Sequence, residues 1–287
     1  MINLDGISYS YSHSKQALQN VTLRFDKGIT GVLGINGAGK STLLKLLSTS
    51  LKIQEGTYTF KGKNIAKHPN LVRKQLGYLP QYMGLFPEFT VTESLTYLGL
   101  LKGCSKSYLK TEMKHLFRVL NLEHVKDVKV KALSGGTKQR VGIAQAIINK
   151  PSVLIFDEPM VGLDPNERHN FNAILSELSE DSIVLISTHI IDDIQNLCEK
   201  VVILDQGELS YSGTLNGVVE LIDGMIYEKY FPREQYNSMK EDLVILKTKP
   251  IKDKVLVRFI SQNSIEADSV QASLEDAFLY ITKYSKL

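Results

Sequence analysis

Residues 34–42 read Gly-Ile-Asn-Gly-Ala-Gly-Lys-Ser-Thr, three glycines closing on a lysine and two hydroxyls. Glycines let a backbone wrap tightly enough for successive N–H groups to face one anion. The flanks fit that use. The apolar run ITGVL precedes the loop and reads as a buried strand. STLLKLLSTSL follows it, with Leu43, Leu44, Leu47 and Leu51 on one helical face. Strand, glycine loop and helix in that order is the context in which G-x-x-x-x-G-K-S, here Gly34 to Ser41, holds phosphate. The helix start adds its positive end. Lys40 is expected to reach the β- and γ-phosphates, and the Ser41 hydroxyl to ligate Mg²⁺.

A second stretch, SVLIFDEP, is a buried strand ending in two acids, Asp157 and Glu158. A strand tip is a rigid mount from which to aim carboxylates at a metal and a water. Asp157 is expected to hold Mg²⁺ through water, and Glu158 to act as base for the attacking water.

Residues 133–140, LSGGTKQR, separate this chain from other phosphate-loop proteins. Here the sequence resembles the nucleotide-binding subunit of an ATP-binding cassette (ABC) transporter, in order from about residue 2 to residue 215. That family's signature is LSGGQ, and Thr137 stands where the glutamine would be. Ser134, Gly135 and Gly136 precede the apolar VGIAQAII, a second anion-facing helix start. One chain cannot bring two distant helix starts to the same γ-phosphate. The resemblance implies that the signature of one subunit covers the ATP held by another.

The resemblance carries further residues with it. Gln81, after QLGYLP, corresponds to the glutamine that senses Mg²⁺ and the attacking water and joins the helical subdomain. Asp164 in VGLDP lies in the loop that crosses the dimer interface, and His189 in ISTHI is expected to bond the γ-phosphate and position Glu158. Asn36, Gly37, Ala38, Gly39 and Thr42 match the family's phosphate loop, with Ile35 where proline is commoner. An aromatic side chain stacks on adenine in this family, a contact worth about 1–3 kcal/mol by analogy with nucleic-acid bases. The spacing before ALQNVTL favours Tyr11 for it, with Tyr9 as the alternative.

The implied fold is α/β: a P-loop NTPase of the ABC-ATPase type with a RecA-like core, an antiparallel β subdomain and an inserted α-helical subdomain at about residues 82–145. Residues 1–215 would form this nucleotide-binding domain. Thr92 and Ser107 are expected to cap two helices of the insertion, the second burying Leu109, Met113, Leu116, Phe117 and Leu120. VVILDQGELSYSG reads as a hairpin turning at Gln206-Gly207. Residues 216–287 read as a small α+β accessory domain, with strands in MIYEKYF, DLVILKT and KVLVRFI and helices in PREQYNSMKED and SLEDAFLYITKY.

Composition bounds the partners. A net charge of +3 is too small to argue for nucleic acid, and 43% hydrophobic with 23% charged residues is ordinary for a soluble globular chain. Cys104 and Cys198 stand far apart, outside any metal-ligand spacing, as expected of reduced cytosolic thiols. The start lacks a secretory signal. Apolar runs fall far short of the ~20 residues that cross a bilayer, so a separate integral membrane permease is expected to supply the crossing. The chain is then cytoplasmic, peripheral on the inner face of the membrane, and paired with a second nucleotide-binding subunit, identical or related. ATP closes the pair, hydrolysis parts it, and the helical subdomain passes the movement on.

Direction rests on two likenesses. SLEDAFLYITKY resembles the LED-x-F ending of ABC-2-type export ATPases, and LSGGTKQRVGIAQAI resembles bacterial exporters of peptides, lantibiotics or drugs. Plain packing of Leu274, Phe278 and Ile281 also accounts for the tail helix, and an importer ATPase is the alternative. A soluble ABC ATPase acting on ribosomes or DNA would need two nucleotide units or a long coiled coil. This chain has one unit, and only about 50 residues separate Gln81 from the signature, without sustained heptads. Intact Glu158 and His189 weigh against a purely regulatory module.

Overall fold

The computed structural model of the chain describes residues 1–12, 15–239, 243–261 and 268–284. The chain divides into two compact units, Met1–Leu209 and Ser210–Leu287. The first begins with β1 (Ile2–Ser12), β2 (Lys15–Phe25), β3 (Gly28–Leu33), α1 (Lys40–Leu47), β4 (Glu55–Phe60) and β5 (Lys63–Asn64). It continues through α2 (Asn70–Arg73), β6 (Leu76–Leu79), α3 (Val91–Leu101), α4 (Lys106–Val119) and α5 (Gly135–Ile147). It then adds β7 (Val153–Asp157), α6 (Pro165–Ser179), β8 (Ile183–Thr188), α7 (Ile191–Gln195) and β9 (Lys200–Asp205).

Two sheets organise this unit. β2, β1, β4 and β5 form an antiparallel sheet in that order, and Ile2 and Leu4, then Ile7 and Tyr9 beyond a register shift, are buried along β1. The strands lying wholly within the unit form a parallel sheet in the order β9-β3-β8-β7-β6. β7 and β8 are buried at every residue, which is why VLIF and IVLI are continuous apolar runs. Leu43, Leu44 and Leu47 of α1 join one core with Phe25, Tyr58 and Phe60 of the first sheet and Ile155 and Leu185 of the second. The glycine loop is thereby clamped between the two sheets. At the carboxyl ends of β3, β6, β7 and β8 the chain delivers residues 34, 81, 158 and 189, where open α/β sheets bind ligands.

Helix starts differ from expectation in two places. Thr90, not Thr92, is the N-cap of α3: its Oγ1 accepts from Glu93 N at 3.1 Å, and Glu93 Oε2 accepts from Thr90 N at 2.8 Å. The reciprocal box outcompetes a lone threonine two residues on, and Thr92 donates instead to Lys126 O. Ser105, not Ser107, caps α4 by accepting from Tyr108 N. α1 stops at Leu47, and the chain turns with Thr49 at φ 58, so Leu51 reaches the core from a loop.

α5 lies directly on β6. Gln145 Nε2 donates to Tyr78 O at 2.8 Å, and a Cβ on Gly77 would overlap the Ala146 carbonyl oxygen. Strand and helix therefore meet backbone to backbone. Among the described residues no helix is long and apolar enough to cross a membrane.

β10 (Glu208–Thr214) leaves β9 by a turn with positive φ at Gln206 and Gly207, the geometry of a two-residue hairpin. It leads into the second unit: α8 (Leu215–Glu220), β11 (Ile226–Pro232), α9 (Arg233–Met239), β12 (Val244–Ile251), β13 (Lys254–Ile260), β14 (Asp268–Ser269) and α10 (Leu274–Lys283). Its sheet runs β12-β13-β11-β14 around Phe231, Val255, Val257 and Phe259. Arg258 of β13 ties this sheet to α10, bonding Asp276 through Nε at 3.0 Å and Glu228 through Nη1 at 2.8 Å.

Candidate functional site

The loop after β3 turns through Gly37 (φ 87) and Gly39 (φ 105), left-handed backbone that glycine adopts without steric cost. Gly39 caps α1 without a side chain, leaving the first N–H groups of that helix for another acceptor. Lys40 opens the helix and is buried, its Nζ donating to Gly34 O at 2.6 Å and Ile35 O at 3.3 Å. Burial pushes the Lys40 ammonium below its ordinary pKa, and the Glu158 and Asp157 carboxylates oppose that shift. Beside it opens a cavity of 590 Å³ lined by Tyr11, Asn36, Gly37, Gly39, Lys40, Ser41, Thr42, Gln81 and Glu158. That volume lies within the usual range of small-molecule sites.

β7 and β8 deliver the acids. Asp157 ends β7, pairs in register with Ser187, and is 2% exposed. Its Oδ1 accepts from Ser187 Oγ at 2.5 Å and from Ser41 Oγ at 3.3 Å. Glu158 sits at φ 54, a left-handed conformation that an ordinary residue holds only when its surroundings impose it. Ser187 imposes it, taking the Glu158 N–H on both its carbonyl and its hydroxyl, each at 3.1 Å. The carboxylate is pinned in turn: His189 Nδ1 lies 2.9 Å from Glu158 Oε1.

The donor set suits Mg²⁺. That ion prefers oxygen ligands and is commonly held by one or two carboxylates together with phosphate and water, and the Ser41 hydroxyl and Asp157 carboxylate meet beside the cavity. Among the described residues no group of three His, Cys, Asp or Glu could hold a metal by itself.

The two tyrosines divide. Tyr9 is buried in the core, whereas Tyr11 is 54% exposed on the cavity wall, its hydroxyl 3.3 Å from Thr42 Oγ1. Their rings meet edge to face at 5.1 Å. Ala38 is buried, and its carbonyl accepts from Gly207 N. Ser134, Gly135, Gly136 and Asp164 do not line the cavity. Ser134 caps α5 and Asp164 caps α6, the latter in a box with Glu167. These two loops meet each other, since a Cβ on Gly136 would stand 2.6 Å from Gly162 O.

Sequence reasoning missed Ser187, Gln16 and Ala17. Ser187 carried a usable signal, a serine inside the apolar run IVLIS beside the acid-bearing strand. Gln16 and Ala17 carried none; the β1–β2 hairpin brings them to the cavity wall.

A profile of the ABC transporter family matches residues 18–161. An uncharacterized ABC transporter ATP-binding protein of Bacillus subtilis, YxlF, is 36% identical over 216 residues, covering 75% of this chain and 71% of that protein. The Nod factor export ATP-binding protein I of Burkholderia lata is 32% identical over 266 residues, covering 88% and 87%. The dimeric structure of a bacterial ABC transporter cassette superposes with a TM-score of 0.68 at 25% identity, covering 75% of this chain and 98% of that one. Fold, motif order and these likenesses agree, and the chain belongs to the ABC transporter family, as an ATP-binding subunit with ATP hydrolase activity.

Proposed function

We propose that two copies of this chain clamp two MgATP and drive a separate membrane permease that exports its cargo. The observation that carries the reading is the 2.9 Å contact from His189 Nδ1 to Oε1 of Glu158, which lines the same cavity as Lys40. Residues 34–42 cradle the phosphates, with Lys40 as counter-ion and backbone N–H groups at the start of α1 as donors. Asn36, Gly37, Ala38, Gly39 and Thr42 shape that cradle, and the Tyr11 ring takes the adenine. Ser41 and Asp157 would hold Mg²⁺, and Gln81 would sense it together with the water. Bound there, Mg²⁺ would neutralise charge on the phosphate oxygens.

Glu158 accepts the proton of the attacking water, and His189 fixes the carboxylate by its Oε1 and reaches toward the γ-phosphate. Ser134, Gly135, Gly136 and Asp164 act across the pair, on the nucleotide held by the other copy. Each copy carries both the cradle and the signature, which favours self-pairing. The γ-phosphate is then contacted from two sides, so ATP binds the closed pair better than the open one, as a switch requires.

Residues 1–215 form the motor, with residues about 82–145 passing its movement to the permease at the inner face of the membrane. Residues 216–287 form an accessory domain. Export is favoured by the SLEDAF tail and by the likeness to a Nod factor export protein, which extends over most of the chain. A peptide, lantibiotic or drug-like cargo follows from the exporter-like signature region.

The test is Glu158→Gln, measured for nucleotide affinity and steady-state phosphate release. Binding is expected to persist while hydrolysis falls roughly 10²–10⁴-fold, the usual worth of a general base. Unimpaired turnover removes Glu158 from the mechanism. Copurification of a permease, with ATPase activity stimulated by candidate cargoes, tests the transport assignment.

A further inference from the structure

The fifth signature position holds Thr137 where LSGGQ has glutamine, and its hydroxyl sits in an ordered chain of bonds. Thr137 is 8% exposed, while Ser134 is exposed. Ser134 Oγ and Thr137 Oγ1 are 2.8 Å apart, and Thr137 N donates to Ser134 Oγ at 3.2 Å. Arg140 Nη2 donates to Thr137 Oγ1 at 3.1 Å. The guanidinium is itself fixed: Nη1 donates to Leu120 O at 3.0 Å and Asn121 O at 2.7 Å, and Nε lies 3.0 Å from Glu167 Oε1. Glu167 completes the box that caps α6 at Asp164.

These contacts decide which hydroxyl donates to which. Arg140 has no acceptor atoms, so Thr137 Oγ1 accepts from it. Were Ser134 to donate to Thr137, the buried Thr137 proton would lose the Ser134 oxygen as its acceptor, and a buried donor left without a partner is costly. With Thr137 donating to Ser134, the buried hydroxyl is satisfied. Ser134 Oγ then accepts twice, from Thr137 N–H and Thr137 O–H. Both its lone pairs are occupied, and its own proton is left as a donor on the exposed side.

We propose that Thr137 is a positioning residue: anchored by Arg140, it turns the Ser134 O–H outward as a dedicated donor to an anionic oxygen, the γ-phosphate of the nucleotide held by a second copy. This deepens the paired reading above and rests on it. A hydroxyl oriented before the ligand arrives needs no reorganisation when it does. A serine free to rotate would present lone pairs to the phosphate part of the time.

The test uses the full-length chain carrying Glu158→Gln, with MgATP-driven dimerisation read by sedimentation, a measurement independent of turnover. Adding Thr137→Val, which keeps the shape and removes the hydroxyl, should weaken dimerisation about tenfold. Thr137→Ser should restore it. In a Ser134→Ala background the same valine substitution should cost nothing more, because its effect passes through the serine hydroxyl; a packing role would cost the same in both backgrounds. Should the valine variant fail to fold, Thr137→Ala poses the same question. Dimerisation unchanged by loss of the Thr137 hydroxyl, or an equal cost with and without Ser134, overturns the proposal. If Ser134→Ala itself leaves dimerisation intact, or no dimer forms, the paired reading falls and this inference with it.

Discussion

Lys40 carries its ammonium into the protein at an electrostatic cost that Glu158 and Asp157 only partly offset. A desolvated cation gains most from an anion brought close to it, because the surroundings screen the pair weakly. Lys40→Ala is therefore expected to weaken ATP binding at least tenfold, read by equilibrium titration; affinity equal to the parent's would displace the loop from its role. Residues of this kind were legible, because Gly-x-x-x-x-Gly-Lys-Ser is a local pattern whose spacing is its function. The division between Tyr9 and Tyr11 was open in the sequence, because residues two apart share one face of a strand. Their rings touch, and what separates them is position along β1, Tyr9 lying over the core and Tyr11 near the strand's end on the cavity wall. Ser187 was visible as a serine inside an apolar run, but its partnership was hidden for a different reason. Its partner Asp157 lies 30 residues away, and only the pairing register of β7 and β8 shows that they face each other.

Among the elements, apolar periodicity revealed the strands and helices and left their ends less certain. Both mistaken caps lie two residues from the true ones. At α3 the competing Thr and Glu form a reciprocal box, and at α4 two serines share one hydrogen bond. The tail helix repays a closer look. In SLEDAF, Leu274 and Phe278 are buried, Ser273 caps α10, and Asp276 serves both as the box partner of Ser273 and as the anchor of Arg258. The LED-x-F spacing is thus the recipe for docking one helix on one sheet. Burial raises the Asp276 carboxyl, but Arg258 and the Ser273 hydroxyl and N–H outweigh it and hold the group below its ordinary pKa of about 4. A carboxyl depressed in the folded state stabilises above its unfolded pKa, and that contribution is lost as pH falls through the folded value. Asp276→Asn should therefore destabilise the second unit by about 2 kcal/mol near pH 7. The difference from the parent should shrink below about pH 4, as followed by denaturant unfolding of the whole chain.

For the molecule entire, nucleotide is a stabiliser as well as a fuel. A ligand that binds only the folded state at one hundred times its dissociation constant adds about 2.7 kcal/mol. In a unit the size of Met1–Leu209 this corresponds to a rise in Tm of roughly 5–10 °C. The Glu158→Gln chain with MgATP should show that rise by calorimetry, and no shift at all would mean that nucleotide does not engage the folded unit. The backbone seam of β6 and α5 adds a constraint of another kind. Gly77 has no left-handed φ, so alanine would suit its local conformation; what bars a side chain is the carbonyl of Ala146, nearly seventy positions downstream. Past that seam the chain leaves β6 at Leu79 and reaches Gln81 two residues on, while α5 is capped by Ser134. One added methyl would wedge apart the supports of the Gln81 and Ser134 segments together. A side chain at this unremarkable strand residue is thereby barred by distant geometry rather than by its own backbone conformation.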